Sequence, residues 1–341
     1  MKKLLSIIVP AYNMEQLLPK CLESLMIEDV GRLEVLVVND GSSDGTGEIA
    51  HRFERKCPDI FKVIDKPNGN YGSCINVALG LATGAYVKIL DADDTYDTSG
   101  LQSLVDFISR LLEAGSHPDA ILSDFWVVNP KGEVISRNRC NLPEDCEFGL
   151  ETIASNMTNV GLHSAAYRLK LLTDIGYRQL EGISYTDNEW MFEPMSYVKT
   201  ARYFPHSVYK YLVGRSSQTV SFAMLRKNYR MLLALLEDML KIYSRRKPDA
   251  DDAALRYLDA YLDRYIESVY DCCLKVVALK EFDFAFDTVE KLLERYCPAK
   301  FKRICKREVL ALRRCKRFRL PYLILVRGIL LARQCISRLQ A

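Results

Sequence analysis

The first half of the chain repeats one pattern: a short aliphatic run, a helical segment, then another aliphatic run. Residues 4–9, 34–38, 61–64 and 86–90 are runs of Leu, Ile and Val with few polar interruptions. Runs that are apolar throughout, rather than alternating, belong to strands buried on both faces. Between them, residues 14–26, 42–56 and 71–82 have helical character, and a helix near 101–113 precedes a further strand at 120–128 and a turn at 129–132. Repeated β-α-β units predict an α/β fold with a doubly wound, mostly parallel sheet and right-handed crossovers. Ligands of such sheets sit beyond the carboxyl ends of the strands. The polar residues collect there: Tyr12 and Asn13 after the first strand, Asp40 after the second, Asp91 and Asp93 after the fourth.

From residue 225 onward the pattern becomes 3.6-periodic, with few glycines. This predicts two regions, an α/β domain over 1–224 and a helical region over 225–341. No stretch reaches the roughly 18 uninterrupted apolar residues that a spanning helix needs. The eleven cysteines lack metal-type spacing, and no Cys-x-x-Cys occurs. The apolar run behind Lys2 and Lys3 is too short for a secretion signal and lacks a small-residue cleavage site. Free thiols in a reducing cytoplasm are therefore expected.

The segment Leu90-Asp-Ala-Asp-Asp-Thr95 ends a strand in three carboxylates. Crowded carboxylates repel one another, so they gain from a bound cation. In an extended chain Asp91 and Asp93 share a side, offering two hard oxygen ligands to Mg²⁺ or Mn²⁺. A solvated acidic turn, with Asp94 or Asp97 capping the next helix, is the competing reading. Residues 39–46, Asn-Asp-Gly-Ser-Ser-Asp-Gly-Thr, follow a strand and open a helix, which suits either a nucleotide contact through Asp40 or a plain turn capped by Asp44. Neither Gly-x-Gly-x-x-Gly nor a P-loop is present, which argues against dinucleotide and P-loop chemistry. A haloacid-dehalogenase-type phosphatase with Asp91 as nucleophile is an alternative, although its Asp-x-Asp-x-Thr motif usually ends the first strand rather than the fourth.

Four ordered motifs together resemble the family 2 glycosyltransferases of GT-A fold: residues 7–13, residues 37–46, Asn68-Gly-Asn-Tyr-Gly72 with Asn76, and residues 90–94. The resemblance covers roughly 4–125 and continues more weakly to about 221. It implies an inverting transferase that takes sugar from a UDP-sugar donor with a divalent ion. Ala11 and Tyr12 would line the base pocket, Asp40 would read the uracil, Asp91 would hold the ribose or diphosphate, and Asp93 would ligate the metal. Asn76 is the matching position in the third motif. The family usually places Arg before it, and this chain has Ile75, so that charge would have to come from elsewhere, with Lys88 as a candidate.

Inversion requires a base for the acceptor hydroxyl. The family places it in a Glu-Asp pair opening a helix, and Thr186-Asp187 occupies that position here, with Glu189 as substitute; Asp187 is otherwise a first-turn acid favoured by the helix dipole. Arg215 suits the diphosphate or an acceptor phosphate, with Gln218 beside it, unless it is a surface-loop residue. His163 is a candidate for the acceptor cleft or a structural histidine. The implied acceptor is a glycan or lipid-linked sugar of cell-surface polysaccharide synthesis, with a degenerate, membrane-bound scaffold as the non-catalytic alternative.

Charge is unevenly distributed. From Arg295 to the end there are 14 Lys or Arg against one acid, Glu308, a balance of +13; the whole chain is +3, so residues 1–294 carry −10. The basic segment 300–341 alternates cations with aliphatics, as expected of a helix lying on an anionic membrane surface or docked on an acidic body. Aromatics suited to base stacking are sparse there, which argues against nucleic acid. Peripheral attachment to the inner face of the plasma membrane is the expectation.

Overall fold

A computed structural model describes residues 2–214, 222–304, 306–314 and 316–328. The chain divides into two compact units, Met1–Ser216 with Ala250–Leu258, and Ser217–Asp249 with Asp259–Ala341.

The first unit is built on a nine-stranded sheet. Its strands are β1 (Leu5–Ala11), β2 (Leu33–Asn39), β3 (Phe61–Asp65), β4 (Tyr86–Ile89), β5 (Thr95–Tyr96), β6 (Ala120–Val128), β7 (Val134–Asn138), β8 (Ala165–Arg168) and β9 (Ala201–Leu212). The order is β3-β2-β1-β4-β8-β6-β9-β5, with β7 paired to β6. β1, β2, β3 and β4 run parallel, as the sequence implies. The other half is mixed: β8 is antiparallel to β4 and β6, while β9 is parallel to β6. β1 is buried at every position but Pro10, and β4 throughout. This explains their unbroken apolar runs.

The helices of this unit are α1 (Leu18–Glu23), α2 (Thr46–Lys56), α3 (Asn70–Leu79), α4 (Thr98–Glu113), α5 (Leu150–Ser155), α6 (Leu169–Asp174) and α7 (Asp187–Phe192). α1 is shorter than the expected 14–26 because Pro19 fits only its first turn. α2 starts at Thr46 rather than 42. Residues 42–45 are instead tied to the loop after β1, Asn13 Oδ1 accepting from Ser43 N–H and Glu15 Oε2 from Gly45 N–H.

The second unit is helical among the described residues, with α8 (Phe222–Arg246), most of α9 (Asp252–Lys275), α10 (Phe282–Tyr296), α11 (Pro298–Arg303), α12 (Arg307–Arg314) and a last helix over 319–328. Much of its basic charge is paired internally. Lys300 binds Asp263 at 2.7 Å, Arg313 binds Glu290 at 2.7 Å and Arg319 binds Asp287 at 2.5 Å. Arg327 donates to the carbonyls at the end of α9. The exposed face of the last helix carries Leu320, Ile324 and Leu325, with Arg317 and Phe318 just before it. Residues 329–341 lie outside the described residues. No described helix is long and apolar enough to cross a membrane.

Candidate active site

The site forms where β1, β2 and β4 end. β1 delivers Tyr12, half exposed at 49%, to the sheet edge, while Ala11 itself faces the core and accepts the Asp40 N–H through its carbonyl. β2 delivers Asp40. Its carboxylate is buried and takes hydrogen bonds from Lys66 Nζ (2.5 Å) and Gly69 N–H (2.9 Å). The turn that makes this possible needs Gly41, whose φ is +69° and whose Cβ would lie 2.9 Å from the Asn68 nitrogen. Asn68 Nδ2 in turn donates to the Asp40 carbonyl. Thus the Asn-Asp-Gly loop and the Asn-Gly-Asn segment form one hydrogen-bonded edge.

The carboxylate cluster departs from the extended-chain expectation. β4 ends at Ile89, and the Asp94 N–H donates to the Asp91 carbonyl at 2.9 Å. The chain therefore turns, and Asp94, rather than Asp93, comes round beside Asp91. Asp91, Asp94 and His163 bring ligand atoms within 4.8 Å of one another, and Asp93 is outside that group. Asp91 accepts from Tyr71 Oη at 2.7 Å. Asp94 accepts from Tyr209 Oη and Leu212 N–H, each at 2.7 Å, so both its oxygens brace β9. Burial pushes both carboxyls upward; the Asp187 charge adds to this at Asp91, and the Asp91 charge at Asp94. A divalent ion held at Asp91 would relieve that repulsion. Asp91 is common to that group and to the pair expected from sequence.

His163 sits among three rings, with centroids 4.9 Å from Phe125, 4.7 Å from Tyr209 and 4.4 Å from Tyr211. Burial, with Lys88 nearby, pushes its pKa down to about 3, so the imidazole is neutral. This ring packing agrees with the structural reading of His163. Lys88 is fully buried and donates to the His163 carbonyl at 2.7 Å, so it braces that loop and does not replace the missing Arg.

Asp187 opens α7. The residue is exposed, yet enough protein surrounds its carboxyl for desolvation to raise its pKa to about 6. Its charge is felt at Asp91, Tyr71 and Tyr211, which places it over the carboxylate cluster. Two residues expected in the site have other duties. Asn76 donates to the Gln179 carbonyl and Glu181 and accepts from the Gln179 N–H, so its amide anchors the loop leading to α7. Glu189, two residues beyond Asp187, is turned inward and fully buried, accepting from Leu180 N–H at 2.7 Å. It cannot reach an acceptor. Arg215 and Gln218 lie outside the described residues. Tyr71 and Tyr209, which orient the carboxylates, were not singled out by sequence, although Tyr71 lies inside the third motif.

Residues 6–175 match the family model "Glycosyl transferase family 2". An uncharacterized glycosyltransferase of Mycoplasma pneumoniae is 36% identical over 38% of this chain, and hyaluronan synthase of Pasteurella multocida is 27% identical over 78%. The chain spans 42% and 26% of their respective lengths. Among solved structures, S. aureus TarS 1–349 in complex with UDP-GlcNAc aligns with a TM-score of 0.66 at 22% identity, covering 95% of this chain and 90% of that one. A mannosyltransferase from Pyrobaculum calidifontis in complex with GDP-Man and Mn²⁺ aligns at 0.50 and 17%, covering 95% and 86%. Sheet order, the edge at 11–13, 40 and 91–94, and the family match converge: this chain belongs to glycosyltransferase family 2, with a GT-A fold.

Proposed function

We propose that the protein is an inverting glycosyltransferase that moves a hexosyl or N-acetylhexosaminyl unit from a UDP-sugar to a glycan or lipid-linked acceptor in cell-surface polysaccharide synthesis. The observation that carries this reading is that Asp187, exposed and with a raised pKa, lies close enough to the Asp91 cluster for its charge to be felt there. A base poised near 6 is ionised at neutral pH and takes the acceptor hydroxyl's proton as that oxygen attacks the anomeric carbon. Tyr12 stacks on the base of the nucleotide, and Asp40, fixed by Lys66 and Gly69, reads its imide. Asp91 and Asp93 would hold the divalent ion, Asp94 being committed to Tyr209 and Leu212. When bound, that ion neutralises charge developing on the departing diphosphate. TarS with UDP-GlcNAc supports the choice of donor, and the Mn²⁺ of the mannosyltransferase supports the metal.

Screening purified protein for UDP release from a panel of UDP-sugars with Mn²⁺ tests this reading. Release from at least one sugar is expected; phosphate release that does not depend on UDP would instead favour the phosphatase chemistry of Asp91. For the basic segment we propose peripheral attachment to an anionic membrane, through the exposed Phe318, Leu320, Ile324 and Leu325 with Arg314 and Arg317. Each cation near such a surface contributes about 1 kcal/mol. Liposome flotation with and without residues 300–341 checks it, and equal flotation would refute it.

A further inference from the structure

The sheet has a second cleft on its other face. Consecutive residues of a strand point to opposite sides. Phe125 packs on His163 toward the carboxylate cluster, so Trp126 points away from it. Arg137 on β7 and Lys210 on β9 are the register partners of Trp126 and stand on the same face. Trp126 and Arg137 line a cleft of about 310 Å³ together with Asp97, Ser103, His206 and Ser207.

Three properties define what fits. First, the charges are already matched: Arg137 pairs with Asp124 at 2.8 Å and Lys210 with Asp97 at 2.7 Å. Neither a free cation nor a free anion gains a counter-charge here. Second, hydrogen-bonding capacity is left over: the Ser207 hydroxyl, on a residue only 8% exposed, and the Arg137 Nε are buried without a protein partner. Leaving a buried donor unmet costs about 1–3 kcal/mol, which a hydroxyl-bearing ligand recovers. Third, the half-buried Trp126 ring, with the Arg137 guanidinium 5.4 Å from its centroid, supplies a flat apolar wall. An aromatic wall with a few convergent polar groups and no net charge is the recognition chemistry of a neutral pyranose.

We propose that this cleft binds a neutral sugar unit, on the opposite face of the sheet from the donor site. Its role, holding a remote residue of the acceptor glycan, rests on the transferase reading; its affinity for sugar does not. The chain has two tryptophans, and Trp190 is fully buried, so fluorescence reports chiefly on Trp126. The test titrates the full chain with tetrasaccharides of N-acetylglucosamine and of glucose, and with inorganic phosphate, alongside a separate UDP titration. A saturable response to a neutral tetrasaccharide with Kd on the order of 1 mM is expected. Ser207→Ala should weaken it about two- to tenfold, the worth of one neutral hydrogen bond, while leaving UDP affinity unchanged and thermal stability undiminished, because the variant removes an unmet hydroxyl. No saturable response to either tetrasaccharide, a response only to phosphate, or one indifferent to Ser207→Ala would each overturn the proposal. Sugar binding without UDP binding would keep it and refute the donor reading.

Discussion

Asp187→Asn removes the proposed base while keeping the side chain's shape. General-base catalysis contributes on the order of 10²–10⁴ in rate, about 3–5 kcal/mol of barrier, and that is the loss expected in kcat. Because Asp187 is exposed, the fold should lose less than about 1 kcal/mol, chiefly a first-turn charge at the N-terminus of α7. Its charge also holds the Asp91 carboxyl up, so the Asn variant should ionise Asp91 more readily and keep or improve metal-dependent UDP binding near pH 6. The wild type must lose its Asp187 proton to act. Its kcat/KM should therefore fall about tenfold per pH unit below about 6 and level off above, a slope missing from the residual activity of the variant. Steady-state UDP release from pH 5 to 8, with calorimetric UDP affinity for both proteins, measures all of this. Turnover in the variant within about threefold of wild type would refute the assignment.

Asp93→Asn should abolish metal-dependent UDP affinity. Asp94→Ala, by stranding the Tyr209 hydroxyl and the Leu212 N–H, should cost about 2–4 kcal/mol in denaturant unfolding. The reverse pattern would make Asp94 the metal ligand. Gly72→Ala would place a Cβ 2.2 Å from the Leu180 carbonyl oxygen, displacing the loop before α7. Overpacking of this kind costs about 1–3 kcal/mol, and kcat should fall more than UDP affinity does. Burial lowers the Lys88 pKa to about 7 in the folded state, so the unfolded chain holds that proton more tightly. Stability should rise as pH climbs from about 7 toward 10, and Lys88→Met should lose that slope in pH-dependent melts.

The local patterns carried the parallel half of the sheet. β6 spans residues 120–128 as the apolar run does, and β1, β2 and β4 end where polar residues begin. The mixed half was not legible, because β8 and β9 owe their places to partners far along the chain: Tyr86 with Arg168, and Ala120 with Ala201. The same holds for the site. Asp40, Asp91 and Asp187 announce themselves as carboxylates at strand or helix ends. Asn76 and Glu189 look equally available in sequence, yet only contacts across 103 residues at Asn76, and the inward face of α7 at Glu189, reveal that they brace the loop. Asp94 rounded the corner to Asp91 because one backbone hydrogen bond converts an extended run into a turn. Side-chain alternation holds only while the strand lasts.

The central claim is that the edge formed by Tyr12, Asp40 and the Asp91 cluster binds a nucleoside diphosphate through a divalent ion. Calorimetric titration of the full chain with UDP, with and without Mn²⁺, tests it most directly. The account predicts saturable binding that weakens at least about tenfold, some 1.4 kcal/mol, when the metal is chelated or Asp91 is replaced by Asn. UDP binding of equal strength without metal, or no binding in its presence, would contradict it.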